Sequence, residues 1–234
     1  MDVLLSQISP VYLQNLKAYK KVVQHRNKLL SENINGIDQN QLNAWDNQLI
    51  EYGSQLVNDR IKFIVFMNQN INEYYQKFSK VEELVNVKYN SSFNIDIESN
   101  SLQNIKSRFQ EKLKKVKSVE VDKKTSIVGP HRDDLDFLKN NKSFKEYGSQ
   151  GENKTLIIVL KILEWLYFTN QKEKKPLMLL DDIFGELDRF RIKGMLNFLD
   201  GLGQSFITTT LKDIFTDISN KNDIYLENTN IIYE

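Results

Sequence analysis

Cysteine is absent from this 234-residue chain, which excludes disulfide scaffolds, thiol catalysis and cysteine-ligated zinc or iron–sulfur sites. Histidine is almost absent too: His25 and His131 are too few for a histidine-rich metal cage. With only three prolines and nine glycines, long helices can run uninterrupted and a Pro/Gly-rich linker is not expected. No charged segment precedes an apolar core at the N-terminus, so no secretory signal is read. The most apolar long stretch, 155–168, is broken by Lys161 and Glu164. It falls short of the roughly 18 to 20 residues that cross a bilayer. The expectation is a chain with no membrane partner, in a reducing, cytoplasmic compartment.

Hydrophobic residues make up 40% and charged residues 27%, a globular balance with length for one large or two modest domains. The net charge of +1 advertises no polyanionic partner, but it is unevenly spread. Residues 1–123 carry 17 Lys+Arg against 14 Asp+Glu, and 124–234 carry 15 against 17. Two basic runs stand out: Lys17, Lys20, Lys21, Arg26 and Lys28, then Lys106, Arg108, Lys112, Lys114, Lys115 and Lys117. Each is either a solvated helix face or a phosphate-binding stripe.

Over 10–31, Tyr12, Leu16, Tyr19, Val23 and Leu30 recur on one helical face. Residues 33–37 break the pattern, and Asp38 stands three residues before Gln41 as an N-cap with a capping-box partner. Leu42, Trp45, Leu49, Tyr52, Leu56, Phe63 and Met67 then keep a three-four rhythm. Two such helices should pack antiparallel, with the aromatic stripe as their core. Residues 84–98 predict a strand hairpin about Asn90-Ser91-Ser92, and 102–115 a further helix. Beyond Thr125 the chain predicts a short strand at 126–129, then a hairpin of 135–138 and 143–145 about Asn140-Asn141. A helix over 152–168, apolar nearly all round, implies burial on several sides. The run 177–180, ending in Asp181-Asp182, reads as a parallel strand covered on both faces. A helix at 187–199, a turn with Gly201 and Gly203, and a strand at 205–210 complete a βαβ unit.

Ligands of open parallel sheets bind beyond the carboxyl ends of the strands, where Asp181 and Asp182 stand. Adjacent carboxylates call for a cation, and Mg²⁺ with nucleotide phosphates is the usual one. A solvated pair that caps the next helix is the plain alternative. Ser149-Gln150-Gly151-Glu152 opens the long helix and is either an ordinary serine N-cap or an anion site of amides, hydroxyl and helix dipole.

Together with 185–188, these motifs resemble ABC-type ATPase heads: Ser149 to Glu152 the signature, 177–182 the Walker B strand, 185–188 the D-loop. Gly129-Pro130-His131-Arg132-Asp133-Asp134-Leu135 and the Leu-Leu-Asp-Asp wording narrow the likeness to the RecF family of bacterial DNA replication and repair proteins, relatives of the SMC family. Pro10, Tyr12, Leu13, Tyr19 and Arg26-Asn27 resemble that family's helical arm. The resemblance implies an α/β fold: part of an ABC/SMC-type head, a parallel sheet with flanking helices, at 81–234. It also implies an α-helical hairpin arm at 1–80, with the helix at 99–115 packing nearby.

It further implies that Asp181 holds Mg²⁺ and Asp182 is the catalytic carboxylate. Ser149, Gln150 and Gly151 would meet ATP held by a second protomer, and Asp188 would act across that interface. The implied activity is ATP-dependent homodimerisation on DNA at single-strand gaps, junctions and stalled forks, helping load recombinase with recombination mediator partners. His131 and Arg132 are either structural, with Arg132 tying down Asp133 or Asp134, or a sensing or interface pair. The chain departs from the family in having no G-x-x-x-x-G-K-[ST] phosphate loop. It therefore predicts a fragment that is inactive alone, an ATPase only when completed. Glu152 stands where the signature usually ends in Gln, which predicts an acid near the γ-phosphate, and no histidine stands at 208–210. A transporter's nucleotide-binding half shares the signature but not the hairpin or 129–135; a non-catalytic interaction module is the third reading.

Overall fold

The computed structural model describes the chain except residues 33–37, 80–82, 98–100, 183, 186, 200, 212–214, 216–220, 228–229 and 234. The expected break at 33–37 lies outside the described residues. Three helices open the fold: α1 (Asp2–Ile8), which periodicity did not reveal, α2 (Pro10–Glu32) and α3 (Gln39–Phe78). Ser9 Oγ accepts from the Tyr12 amide and Pro10 takes the first helical position, so α2 starts where its sequence permits. Asp38 caps α3 by accepting from the Asn40 and Gln41 amides. α3 runs 40 residues, three turns past the expected stripe, because Ile71, Tyr75 and Phe78 keep its apolar face going. Its first half packs on α2, as expected of a hairpin.

β1 (Val85–Asn90) comes next, but the expected hairpin within 84–98 does not form. β1 pairs antiparallel with β2 (Asp134–Lys139), and the intervening chain holds α4 (Leu102–Lys123), longer than the expected 102–115. Past β1, Asp133 takes the Ser92 amide and the Tyr89 hydroxyl, and Phe93 stacks on Phe109 of α4. The other edge of β1 is closed by a helix. Asn68 of α3 both donates to Val87 O and accepts from Val87 N, and Asn72 accepts from Val85 N. β2 turns through Asn140 and Asn141, both at positive φ, into β3 (Lys142–Ser143). Residue 145 leaves that strand for a short helical turn, α5 (Phe144–Tyr147).

The expected strand at 126–129 also fails to form. Its backbone groups go to side chains: Ser126 N to Asn27, Ile127 N to Glu120 and Gly129 N to Ser92. Three of the four amides that a ladder would use are thereby taken.

α6 (Gln150–Lys172) extends the expected helix at both ends and packs on α3, with Phe63 and Tyr167 ring centroids 4.8 Å apart. β4 (Met178–Asp181), α7 (Arg189–Leu199) and β5 (Ser205–Thr208) form the expected βαβ unit, parallel with Leu179 opposite Phe206. β6 (Ile224–Glu227) and β7 (Asn230–Tyr233), not expected from the sequence, pair antiparallel. The two-sided cover expected for 177–180 is wrong on one face. Met178 and Leu180 are buried, but Leu179 is 74% and Phe206 50% exposed, side by side. No helix among the described residues is long and apolar enough to cross a membrane.

Candidate functional site

The Ser149 turn is an N-cap in full. Ser149 Oγ accepts from the Glu152 amide at 3.3 Å, and the Glu152 carboxylate accepts from the Ser149 amide at 2.9 Å. The serine hydroxyl thus keeps its own proton free to donate, Gln150 is exposed at the first helical position, and the dipole of α6 ends here. Glu152 does not face outward as an acid beside a phosphate would. Its carboxylate is turned back into the cap and receives Lys139 Nζ at 2.6 Å, a lysine that also reaches Glu83 at 3.2 Å. Burial alone would raise the Glu152 pKa, but the Lys139 and Ser149 hydrogen bonds hold it below the ordinary glutamate value. Lys139 is thus shared between two carboxylates, and the group of three keeps one negative charge.

A side chain that sequence reasoning missed stands beside this turn. A Cβ on Gly151 would meet only Arg191 Nη1, at 3.9 Å. Arg191 donates from its amide to Asp188 Oδ1 and from Nη1 to Oδ2, both at 2.9 Å, while its buried Nε has no partner among the described residues. Asp188 is therefore the N-cap of α7 and brings the 185–188 turn to the start of α6. The three-residue spacing from aspartate to arginine at a helix start was the available signal. Glu186, within that turn, lies outside the described residues.

Asp181 and Asp182 are exposed at the carboxyl end of β4. Thr208 at the matching end of β5 ties them. Its hydroxyl donates to Asp181, and the Asp182 amide donates to Thr208 O at 3.1 Å with Thr208 Oγ1 at 3.0 Å. Asp182 has φ +44°, a left-handed conformation that aspartate tolerates, and a Cβ on Gly185 would lie 3.7 Å from its Oδ1. Two hard oxygen donors open to solvent fit a Mg²⁺ ion whose other ligands are phosphate and water. Among the described residues, no cluster of three or more acidic, histidine or cysteine side chains would hold a metal alone. Nor does any hydrogen bond or ion pair among them join Asp181 or Asp182 to Ser149, Gln150 or Gly151.

His131 and Arg132 sit in a segment clamped to α2 and α3. Arg132 does not tie down Asp133 or Asp134; its Nε donates to Ser126 O at 3.1 Å and its Nη2 reaches Thr125 Oγ1. His131 Nε2 faces Ser126 O at 3.2 Å, which only accepts, so Nδ1 must accept from the Tyr19 hydroxyl at 2.7 Å. Burial holds the His131 pKa below the ordinary histidine value. Two buried arginines fix the same segment. Arg60 Nη1 donates to Pro130 O at 2.7 Å and pairs with Asp2. Arg26 Nη1 donates to Ser126 Oγ at 2.8 Å, Nη2 to Glu120 at 2.6 Å and Nε to Asp46 at 2.7 Å.

No family model matches the chain. Curated relatives do. The DNA replication and repair protein RecF of Bacillus cytotoxicus is 35% identical over 213 residues, which is 91% of this chain and 57% of the relative. RecF of Bacillus thuringiensis and of Bacillus cereus are 35% identical over 216 residues with the same coverage. Two solved structures share the fold: the recombination mediator protein RecF with ATPrS in the RecFOR pathway, at TM-score 0.84 and 27% identity over 99% of this chain and 61% of that one, and RecF with ATP, at 0.85 and 25% over 100% and 61%. The fold is thus α/β of the ABC/SMC ATPase type, with a helical hairpin. The chain spans 57% of the curated relatives' length. Sequence and fold together relate it to the RecF family over nearly the whole of its own length.

Proposed function

We propose that this chain is the signature-bearing part of a DNA replication and repair ATPase, whose nucleotide site is completed by a second polypeptide segment carrying the phosphate loop. The observation that carries the reading is the open face of the β4–β5 sheet. A two-stranded parallel sheet with Leu179 and Phe206 in water is half of a structure that parallel sheets complete on both sides. The twin aspartates stand at its rim. The chain covers 57% of the length of the relative it matches.

In this reading, residues 1–80 with the helix at 99–115 form the arm, and 81–234 the head part. Asp181, braced by Thr208, holds Mg²⁺, and Asp182 orients the attacking water. Ser149 donates its free hydroxyl proton to the γ-phosphate of ATP held by a second protomer, and the Gln150 and Gly151 amides add the helix-terminal field. Asp188 acts across the same interface, and Arg191 holds it against Gly151. Mg²⁺, when bound, supplies charge neutralisation at the phosphates. The His131–Arg132 segment transmits the state of the head to the arm through Arg26 and Arg60. The activity is ATP-dependent dimerisation on DNA at gaps, junctions and stalled forks in the cytoplasm, helping load recombinase with mediator partners.

The experiment combines this chain with a relative's phosphate-loop segment and measures ATP hydrolysis on DNA. Turnover should appear only in the mixture and drop at least about a hundredfold with Asp182→Asn. Turnover indifferent to Asp182→Asn overturns the reading.

A further inference from the structure

Residues 106–124 carry eight basic residues against three acidic ones, and the structure shows which charges are already engaged. Lys106 pairs with Glu51, Arg108 donates to Asn94 O, and Glu120 is buried against Arg26. Lys112, Lys114, Lys115, Lys117, Lys123 and Lys124 remain, none in an ion pair among the described residues, with only Glu111 and Asp122 near them in sequence.

Beside this face runs a groove of about 390 Å³ between α3 and α4, lined by Asn43, Asp46, Asn47, Gln110, Lys114 and Lys117 among others. Asp46 is its one carboxylate, and that group receives Arg26 Nε from inside the arm at 2.7 Å. Arg26 serves both Asp46 and the buried Glu120, so these two carboxylates, Arg26, Lys114 and Lys117 together keep a surplus of one positive charge. Lys114 and Lys117 lie one turn apart on one side of α4. Three amide side chains add N–H donors and acceptors.

We propose that this groove and the adjoining basic face of α4 form the arm's nucleic-acid contact, holding the sugar–phosphate backbone without reading bases. The inference deepens the DNA reading above and rests on it. A protein partner fits the surface less well. Protein interfaces centre on apolar and aromatic anchors, whereas here Leu113 is buried and Ile50 only partly exposed. Unpaired lysines among amides are what a phosphate chain requires, since each neutralised phosphate releases counterions.

The test is fluorescence anisotropy of labelled single-stranded and duplex oligonucleotides with the full chain across a salt series. Losing two phosphate contacts in Lys114→Gln/Lys117→Gln should lower affinity about tenfold or more and flatten the log–log salt slope by about 1.8 on the duplex and about 1.4 on the single strand. Lys62→Gln/Lys161→Gln, whose lysines pair with acids on α3 and α6, should leave both unchanged. If the wild-type chain binds DNA and the Lys114/Lys117 variant binds with the same affinity and slope, the groove is wrong and the DNA reading stands. If the wild-type chain shows no salt-dependent DNA binding, or takes polyglutamate in place of DNA, both fall.

Discussion

Replacing Arg26 by methionine keeps most of the stem and removes the guanidinium from the junction of α2, α3, α4 and the His131 segment. Three donations are lost, and they are unequal. Asp46, 18% exposed at its side chain, can turn to water, and Ser126 keeps its hydrogen bond to Asn27. Glu120 has neither escape: its side chain is fully buried, and only the Ile127 amide remains to it. A buried charge stripped of its partner costs about 3–5 kcal/mol, and Glu120 sets the cost here. Glu120→Gln in the same background removes the stranded charge, so the double variant should recover about 1–2 kcal/mol relative to Arg26→Met. Equilibrium urea unfolding at pH 7, followed by circular dichroism and tryptophan fluorescence, measures both. A loss below about 1 kcal/mol, the range of exposed pairs, or a double variant no more stable than Arg26→Met, refutes the reasoning.

His131 gives a pH signature. Its native pKa lies below the unfolded value of about 6.5, so the unfolded chain takes up the proton first. Stability therefore falls as the pH drops from about 6.5 through the lowered native pKa. His131→Gln should flatten urea midpoints in that window, and identical slopes would count against the buried neutral imidazole. Gly129 stands at φ +124°, and a Cβ there would come 2.3 Å from Tyr19 Oη and 2.8 Å from the Phe109 ring. Gly129→Ala should cost at least about 1–3 kcal/mol in the same assay, and a neutral substitution would contradict that geometry.

What the sequence made legible was local. The caps at Asp38 and Ser149, the Asn140-Asn141 turn, the helical stripes and the βαβ unit each follow from residues within a few positions of one another. What it hid was non-local. β1 finds its partner more than 40 residues on, and Arg26 is buried because Glu120 lies on α4, 94 positions later. The 126–129 segment has strand-like residues, yet Asn27, Glu120 and Ser92 take its backbone groups. Of the candidate site, Ser149, Gly151, Asp181, Asp182 and Asp188 were named from motif likeness alone. Of their braces, Lys139 and Thr208 were not readable, since each acts on a residue of another element, whereas Arg191 stands three positions from Asp188 and was within reach of a local reading. The exposure of Leu179 could not be read either, because an apolar run says a strand expects cover and not whether the same chain supplies it.

α3 packs on both α2 and α6, and Arg26 and Arg60 tie α2 and α3 to the His131 segment. The central claim is that the Ser149 turn and the aspartate pair are parts of a nucleotide site and not the whole of it. Titration of Mg·ATP into the chain alone, by calorimetry, tests this most directly. The account predicts no saturable binding up to about 1 mM; a saturable isotherm in the low micromolar range, lost with Asp181→Asn, would contradict it.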